Sequence, residues 1–319
     1  MSAIPVIILE PSIVTARDSF WRRALASGRV RLGGGILLLI AAACIVTLPW
    51  TLSARSGLYY HNLRSQHARQ APTFQAGADL LGTDKLGRSI LGRCLLGGTV
   101  SLAVGLAAAG ISVVLGLGVG LVAGYRGGWI DGLLMRSVDI LYGLPYVLLI
   151  ILFKIALDDP LTNLLGSTRA ANLIVLFLAI GLVSWLTMAR VVRGQVLSLR
   201  SQPFIEAARA AGLSELRIFF HHLLPNLVGP IVVYASLTVP QAILQESFLS
   251  FLGIGIAPPM PSWGALASEG LTPALNMVNS QWWMLLFPCL LLAVTLLCLN
   301  FLGDGLRDVF DPRRDQSTL

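Results

Sequence analysis

The sequence predicts an all-α membrane protein that crosses the bilayer six times, and three observations support this fold class. Hydrophobic residues make up 55% of the 319 positions and charged residues only 12%, whereas a soluble protein usually carries roughly twice that charged fraction. The mean hydropathy is +0.76. The apolar residues are also grouped into blocks long enough to cross a bilayer. Together these properties argue against a soluble enzyme, a disordered chain and a disulfide scaffold.

Six apolar blocks follow one another along the chain, with more polar segments between them. They are 32–52, 98–124, 139–157, 172–191, 226–248 and 283–303. A helix of about 20 residues spans a hydrocarbon core of ~30 Å, and longer helices fit when they tilt. Six crossings place the two chain termini on the same side of the membrane.

The distribution of Lys and Arg predicts which side that is. Of the 23 basic residues, 15 lie in segments that share a side with the termini and 8 lie in the alternate segments. The first group of segments is 1–31, 125–138, 190–225 and 304–319. Because basic segments are retained in the cytoplasm, both termini are predicted to be cytoplasmic. The loop after the first block departs from this pattern with six basic residues, but long loops follow the rule weakly.

Charge and cysteine content indicate few ligands for the chain itself. The net charge is +7, but the basic residues lie mostly between apolar blocks, where they orient helices, so nucleic acid is not an expected partner. The four cysteines form no CxxC pair or Cys/His cluster, and neither a disulfide nor a metal site is predicted. Adjacent His221 and His222 would point about 100° apart on a helix. Pro5 and Glu10 interrupt the apolar N-terminus, which does not resemble a signal peptide.

Residues 82–89 nearly match a phosphate-binding loop. Their sequence is GTDKLGRS, and the pattern requires a Lys where Arg88 stands and a buried strand before it. The sequence has neither feature at this position. We therefore predict that this chain binds no nucleotide and no other cofactor.

Three glycines in the second block are spaced four residues apart. Gly116, Gly120 and Gly124 share one face of a helix, and glycine lets two helix backbones approach closely in a membrane. Tight packing within this chain is the favoured interpretation, and a seam between two chains is the alternative.

Segment 190–225 is polar, but its apolar residues recur at helical spacing. Pro203 is predicted to begin a short helix, Gly212 to end it, and Ser214 to cap a second helix that Pro225 ends. Two short helices joined by a glycine are suited to docking against another protein. A helix lying on the membrane surface is the alternative.

A few ionisable residues lie in or near the blocks. Asp139 is predicted at the inner mouth of the third block and Glu246 near the outer end of the fifth, and both are candidates for the transport path or its gate. Lys154 and Asp158, one helical turn apart, are predicted to pair.

The sequence from Glu206 to Asn226, EAARAAGLSELRIFFHHLLPN, resembles the EAA signature of bacterial ABC import permeases. It is most similar to the dipeptide, oligopeptide and nickel permeases, and within them to the C-type subunit. Four further blocks resemble this family in order along the chain: LLGTDKLGRSILGRCLLGGTVSL, GYRGGWIDGLLMRSVDILYGLP, SFLSFLGIGIAPPMPSWGAL and LGDGLRDVFDPR. The FWRR sequence near the N-terminus is also similar.

The resemblance implies the type I importer permease fold. A cytoplasmic N-terminal segment, 1–31, would precede the first transmembrane helix, 32–52, and an extracytoplasmic loop, 53–96. A five-helix core would occupy 97–304, with the EAA loop at 190–225, and 305–319 would form a cytoplasmic tail. The chain would lie in the bacterial inner membrane.

The resemblance also implies a complex. Its members would be a second homologous permease subunit, two cytoplasmic subunits that bind ATP and Mg²⁺, an extracytoplasmic substrate-binding protein, and the surrounding lipid. The EAA loop would be the coupling helix that docks on an ATPase subunit. The residues expected to carry that role are Glu206, Ala207, Ala208, Gly212, Leu213 and Arg217. Among them, Glu206 would face polar or basic partner groups, the two alanines would permit close approach, and Gly212 would supply the turn.

The sequence departs from the family pattern on the predicted outer side. Ser89 stands where Asp is usual, Gly92 where Ser is usual, and Gly98-Thr99 replace Ala-Arg. These changes bear on which substrate and binding protein are used. A dipeptide or oligopeptide is the expected substrate, and nickel or another small solute is the alternative.

Two other function classes fit the sequence less well. An ion-driven secondary transporter needs ionisable relays or broken helices at mid-membrane, and the blocks have almost no central charges. A membrane-embedded enzyme needs a catalytic constellation, and no Ser/His/Asp, paired-carboxylate or His-cluster arrangement is visible within the blocks. The sequence therefore favours a non-catalytic permease subunit.

Overall fold

The computed structural model describes residues 27–73, 77 and 79–310, and within them the protein is almost wholly helical. The helices in these ranges are α1 (Gly28–Val46), α2 (Leu48–Leu52), α3 (Ile90–Arg126), α4 (Gly128–Tyr142), α5 (Tyr146–Leu165), α6 (Thr168–Arg200), α7 (Pro203–Ala210), α8 (Glu215–Ile218), α9 (Leu224–Phe251), α10 (Trp263–Ala274) and α11 (Trp283–Phe310). A π-helical turn, Phe219–Leu223, joins α8 to α9. Most of the predicted N-terminal segment 1–31, and the tail beyond 310, lie outside the described residues.

Five helices in the described ranges are long and apolar enough to cross a membrane, and a bent pair adds a sixth crossing if it is counted as one span. The five are α1, α3, α6, the continuous helix formed by the π turn with α9, and α11. The bent pair is α4 and α5, whose axes meet at 99°. The predicted fold class, an all-α protein that crosses the membrane several times, agrees with these helices.

The predicted third span, 139–157, is wrong as a single helix. Gly143, Leu144 and Pro145 separate α4 from α5. Pro145 has no backbone N–H to donate, and its ring disfavours helical backbone at the preceding residue. The apolar block is continuous in sequence, but the helix is not.

Other boundaries also differ from the predicted ones. Helix α3 begins at Ile90, because Ser89 caps it by accepting a hydrogen bond from the Gly92 backbone N–H at 3.2 Å. The last turns of the predicted loop 53–96 are therefore helical. The connection 249–282 contains α10, a helix that hydropathy did not predict.

Helices α3 and α6 form the centre of the bundle, and the three spaced glycines lie at their contact. A Cβ atom on Gly116 would lie 2.5 Å from the Met188 Cβ, and one on Gly120 would lie 2.6 Å from the Ala189 carbonyl oxygen. On Gly124 it would lie 2.8 Å from the Val196 Cβ. No side chain larger than hydrogen fits at these distances. The glycine face thus packs within this chain.

The two ends of α3 define the two ends of the bundle. Its 37 residues extend about 55 Å. Arg126 lies at the end near α7 and α8, which we call the EAA end. Ile90 lies at the opposite, far end, beside α10 and the 79–89 segment.

A buried ionic network holds the far end together. The Arg93 guanidinium donates to Asp84 at 3.0 Å and to Glu269 of α10 at 2.7 and 3.0 Å. Arg88 donates to the same Asp84 carboxylate at 2.6 Å. Asp84 is fully buried and Arg93 nearly so, and opposite charges compensate each other in this dry region. The network fixes α10 to the start of α3.

The predicted Lys154–Asp158 ion pair does not form. The Lys154 amino group instead donates to the backbone carbonyls of Ile254 and Gly255, the latter at 3.0 Å. These carbonyls follow the end of α9, so the contact attaches α5 to the far end of the bundle.

Candidate functional site

The EAA segment folds as two short helices joined by a glycine turn. Pro203 occupies the first turn of α7 after Gln202, where its missing N–H costs nothing. Gly212 has φ of +77°, a left-handed conformation that glycine adopts without strain. The Gly212 N–H donates to the Arg209 carbonyl at 2.9 Å, and the Leu213 N–H donates to Ala208 at 3.1 Å. These bonds end α7 and turn the chain into α8.

The inner face of the segment packs on the bundle. Ile205 and Ala208 of α7 are buried with Ile218 and Leu223, and Leu213 packs partly against them. Ala208 lies three residues from Ile205 on the same buried face and so faces the bundle. Ala207 is exposed, as the prediction requires.

The outer face of the segment is open to solvent. It exposes Glu206, Ala207 and Arg217 together with the large apolar side chain of Phe204. The exposed side chains of the segment thus include an acidic, a basic, an aromatic and a small one. Phe204 is a candidate that the sequence reasoning missed, although its position beside the EAA residues was visible.

The segment is tied to the transmembrane helices by polar contacts. The Tyr125 hydroxyl at the end of α3 donates to the Glu215 carboxylate, and Arg209 donates to the same carboxylate at 3.2 Å. The Tyr125 hydrogen bond, with help from Arg209, holds the pKa of Glu215 below its ordinary value. Arg200 also donates to the carbonyls of Gly124 and Tyr125 at 3.0 and 2.8 Å.

The second short helix continues directly into a transmembrane helix. Helix α8, the π turn and α9 follow without a break, and the predicted helix end at Pro225 is wrong. Pro225 lies inside this continuous segment, at the second position of α9 after the π turn, and its nitrogen donates no hydrogen bond there. Helix α8 is thereby joined to α9 in one continuous helical segment.

A cavity of about 490 Å³ lies at the break between α4 and α5, roughly midway along α6 and α9. Its walls are Leu141, Tyr142, Leu144, Pro145, Tyr146, Leu149, Val183, Ser184, Leu186, Thr187, Met188, Tyr234, Leu237, Thr238, Gln241 and Gln245. Hydroxyl and amide groups supply the polar atoms of this lining, and its described residues include no charged side chain. Such a lining suits a polar organic solute.

The two predicted path residues occupy different places. Asp139 lies one helical turn before Tyr142 of the cavity wall and accepts a hydrogen bond from Arg190 at 2.8 Å. Glu246 is fully buried toward the far end and accepts hydrogen bonds from Ser101 and Ser250 at 3.3 and 2.7 Å. The structure does not place Glu246 on the cavity wall.

The region resembling a phosphate-binding loop has its amides already bonded. The backbone N–H groups of Leu86 and Arg88 both donate to the Asp84 carboxylate, at 2.8 and 2.9 Å. These donors are not free to hold a phosphate. Across the described ranges, no three His, Cys, Asp or Glu side chains come together as metal ligands would.

Comparison with known proteins agrees with this architecture. Residues 116–316 match the family described as "Binding-protein-dependent transport system inner membrane component". The chain is 47% identical over 216 residues to the oligopeptide transport system permease protein OppC of Haemophilus influenzae, which covers 68% of this chain and 64% of that protein. The match thus spans just under two thirds of that relative's length.

A second relative aligns over nearly the whole chain. The dipeptide transport system permease protein DppC of Bacillus subtilis is 37% identical over 309 residues, which cover 96% of this chain and 88% of that protein. A chain of the methionine ABC transporter MetNI, solved in inward-facing conformations, has a TM-score of 0.52 at 20% identity. It covers 67% of this chain and 94% of its own length, and it supports the fold alone. The chain therefore belongs to the family of binding-protein-dependent transport system inner membrane components.

Proposed function

We propose that this chain is a translocation subunit of an ATP-driven importer that carries dipeptides or oligopeptides across the bacterial cytoplasmic membrane. It works with a second homologous permease subunit, two cytoplasmic subunits that bind ATP and Mg²⁺, and an extracytoplasmic binding protein that delivers substrate. The chain itself binds no cofactor and catalyses no reaction. The names of its relatives support peptide as the cargo.

One observation carries this proposal. The helix that begins in the EAA segment continues through the π turn into α9, and α9 supplies Tyr234, Thr238, Gln241 and Gln245 to the cavity wall. A force applied to the exposed face of α7 and α8 therefore reaches the cavity through one continuous helical segment, which can bend at the π turn, Pro230 and Pro240. Coupling between distant sites requires such an element with two arrangements.

The mechanism is alternating access. ATP brings the two ATPase subunits together, the EAA segments move with them, and the cavity opens outward. Hydrolysis restores the inward-facing state. The chain makes different contacts in the outward-facing and inward-facing states. Only a difference in interaction free energy between the two states can shift their populations. The EAA end and both termini face the cytoplasm in this mechanism.

The docking contact would use the outer face of the EAA segment. Glu206 and Arg217 offer charges of both signs to a groove on the ATPase, and Ala207 lets the two backbones approach. Gly212 sets the angle between α7 and α8, and Leu213 secures that angle by packing on the bundle.

The cavity lining favours peptide over nickel. A nickel path would present His, Cys or carboxylate ligands, whereas the described lining offers hydroxyl and amide groups. These groups can both donate and accept hydrogen bonds, as a peptide backbone requires.

Reconstitution of the complete complex in proteoliposomes tests the proposal. Labelled tripeptide should accumulate when the binding protein and ATP are present, and labelled Ni²⁺ should not. Uptake that persists without ATP while an ion gradient is held would show a secondary transporter instead. Peptide hydrolysis by the purified chain would contradict the non-catalytic role.

A further inference from the structure

Two ion pairs join α4 to α6, and they differ in geometry. Arg193 donates to both Asp131 oxygens at 2.5 and 2.7 Å, and the Asp131 side chain is only 16% exposed. Arg190 donates to one oxygen of Asp139 at 2.8 Å, and the Asp139 side chain is 61% exposed. In the Asp131–Arg193 pair both carboxylate oxygens are already bonded. The Asp139–Arg190 pair leaves one carboxylate oxygen and part of the guanidinium accessible.

The Asp139–Arg190 pair lies at the rim of the cavity, on its EAA side. Asp139 is three residues before Tyr142 on α4, and Arg190 is three residues after Thr187 on α6, and both Tyr142 and Thr187 line the cavity. The Arg190 guanidinium also stacks 4.0 Å from the centre of the Tyr142 ring. The planar cation is therefore held in place while its edge remains accessible.

The cavity itself offers no charge to a charged solute. A peptide with free termini carries an ammonium and a carboxylate, and moving either group away from water is costly unless an opposite charge is close. Within the described lining, the polar atoms come from neutral groups such as Thr238, Gln241 and Gln245. The buried Oε1 atom of Gln245 has no hydrogen-bond partner in the described part of the chain, and it can accept a backbone N–H. The neutral wall thus suits the uncharged backbone of a peptide, and the charged rim suits a charged terminus.

We infer that Asp139 and Arg190 form a binding site for the termini of a zwitterionic peptide as it leaves the cavity toward the EAA end. Arg190 takes the peptide carboxylate and Asp139 takes the ammonium, so one intramolecular ion pair is exchanged for two ion pairs with the substrate. The net charge of the rim is unchanged by the exchange. This inference rests on the proposed function, since it assumes that peptides pass through the cavity.

Peptide binding to the assembled membrane complex, without nucleotide and without the binding protein, tests the inference. The probes are trialanine with free termini and the same tripeptide acetylated at its N-terminus and amidated at its C-terminus. Wild type should bind the free form more tightly by about fivefold, since two partly exposed ion pairs with the substrate replace the one between Asp139 and Arg190. The double variant D139N/R190Q should bind both forms equally, with the affinity for the blocked form unchanged.

Matched variants distinguish a residue pair that binds substrate from one that only holds α4 against α6. D131N/R193Q removes the neighbouring pair on the same two helices and should keep the wild-type preference. R190K retains the positive charge and should keep part of the preference, whereas R190Q should lose it. An unchanged preference in D139N/R190Q, equal binding of both peptides by wild type, or the same loss in D131N/R193Q would overturn the inference.

The proposed function is tested separately in the same preparation. If wild type accumulates no peptide with ATP and the binding protein present, the proposed function fails. If it does accumulate peptide while D139N/R190Q shows the wild-type preference, only the inference about the rim fails. Co-purification of the other subunits establishes that each variant has assembled.

Discussion

The Tyr125 hydroxyl donates a hydrogen bond to the Glu215 carboxylate, 90 residues further along the chain. Tyr125 is the next-to-last residue of the transmembrane helix α3, and Glu215 begins the second helix of the EAA segment. The bond therefore fixes the proposed coupling element to the helix at the centre of the bundle. Arg200 reinforces the same corner by donating to the Tyr125 carbonyl.

Tyr125→Phe should weaken this tether and reduce the peptide transported per ATP hydrolysed by about threefold, the effect expected of one exposed polar contact. The folded protein lowers the pKa of Glu215. The stability that the Tyr125–Glu215 hydrogen bond contributes is therefore complete above the ordinary pKa of 4.5 and is lost as the pH falls through the lowered pKa. The Tm difference between wild type and Tyr125→Phe should accordingly be constant above pH 4.5 and shrink below it. Scanning fluorimetry across pH measures the two Tm values, and uptake and ATPase assays measure the coupling. Glu206→Gln, on the outer face, should lower coupling without this pH-dependent Tm difference.

Gly212 allows a sharp test of the turn. Gly212→Ala introduces a Cβ with no atom within 4 Å, so its cost is the left-handed backbone alone, about 1 kcal/mol, and transport should persist.

Gly212→Pro cannot adopt a positive φ and loses the N–H bond to Arg209. It should hydrolyse ATP without moving peptide, as should Glu206→Lys. ATPase and uptake assays on the same vesicles measure the coupling, and wild-type transport by both variants would refute the assigned role of the segment.

Packing of α3 on α6 predicts different tolerances at two glycines of one helix. Gly120→Val places its side chain against the Ala189 carbonyl and Val192, and we expect about 2 kcal/mol of destabilisation. A Cβ atom on Gly118 meets no atom within 4 Å, so Gly118→Val should change stability little. Denaturant unfolding in detergent compares the two variants. Equal losses would show that helix propensity, and not the close approach, sets the cost.

The buried network at the far end predicts a large effect from one substitution. Arg93→Gln leaves the Asp84 and Glu269 carboxylates with too little positive charge, and breaking such a pair costs about 3 kcal/mol or more. Lys85→Gln, at an exposed position of the same segment, should be nearly neutral. Thermal unfolding of the two variants decides the matter, and similar Tm values would contradict the role assigned to the network.

Local chemistry explains which parts of the candidate site the sequence could predict. The start of α7 at Pro203 and the turn at Gly212 depend on φ values and missing N–H groups, which neighbouring residues determine. The break at 143–145 was missed because mean hydropathy over a window does not change when a helix bends. Gly143 and Pro145 were the available signal. Helix α10 was missed for a similar reason, although Ser262 offered a cap before it.

The sequence by itself determined that this is a polytopic helical protein with a two-helix EAA segment, because transfer of side chains into hydrocarbon and local backbone geometry depend on residues close together in the chain. Tertiary structure alone decided which charges meet. Asp139 contacts Arg190 across 51 residues, and Ala208 turns inward while Ala207 stays exposed. Such choices depend on the rotation and direction of each helix in the packed bundle, and these are settled only when all the helices fill space together.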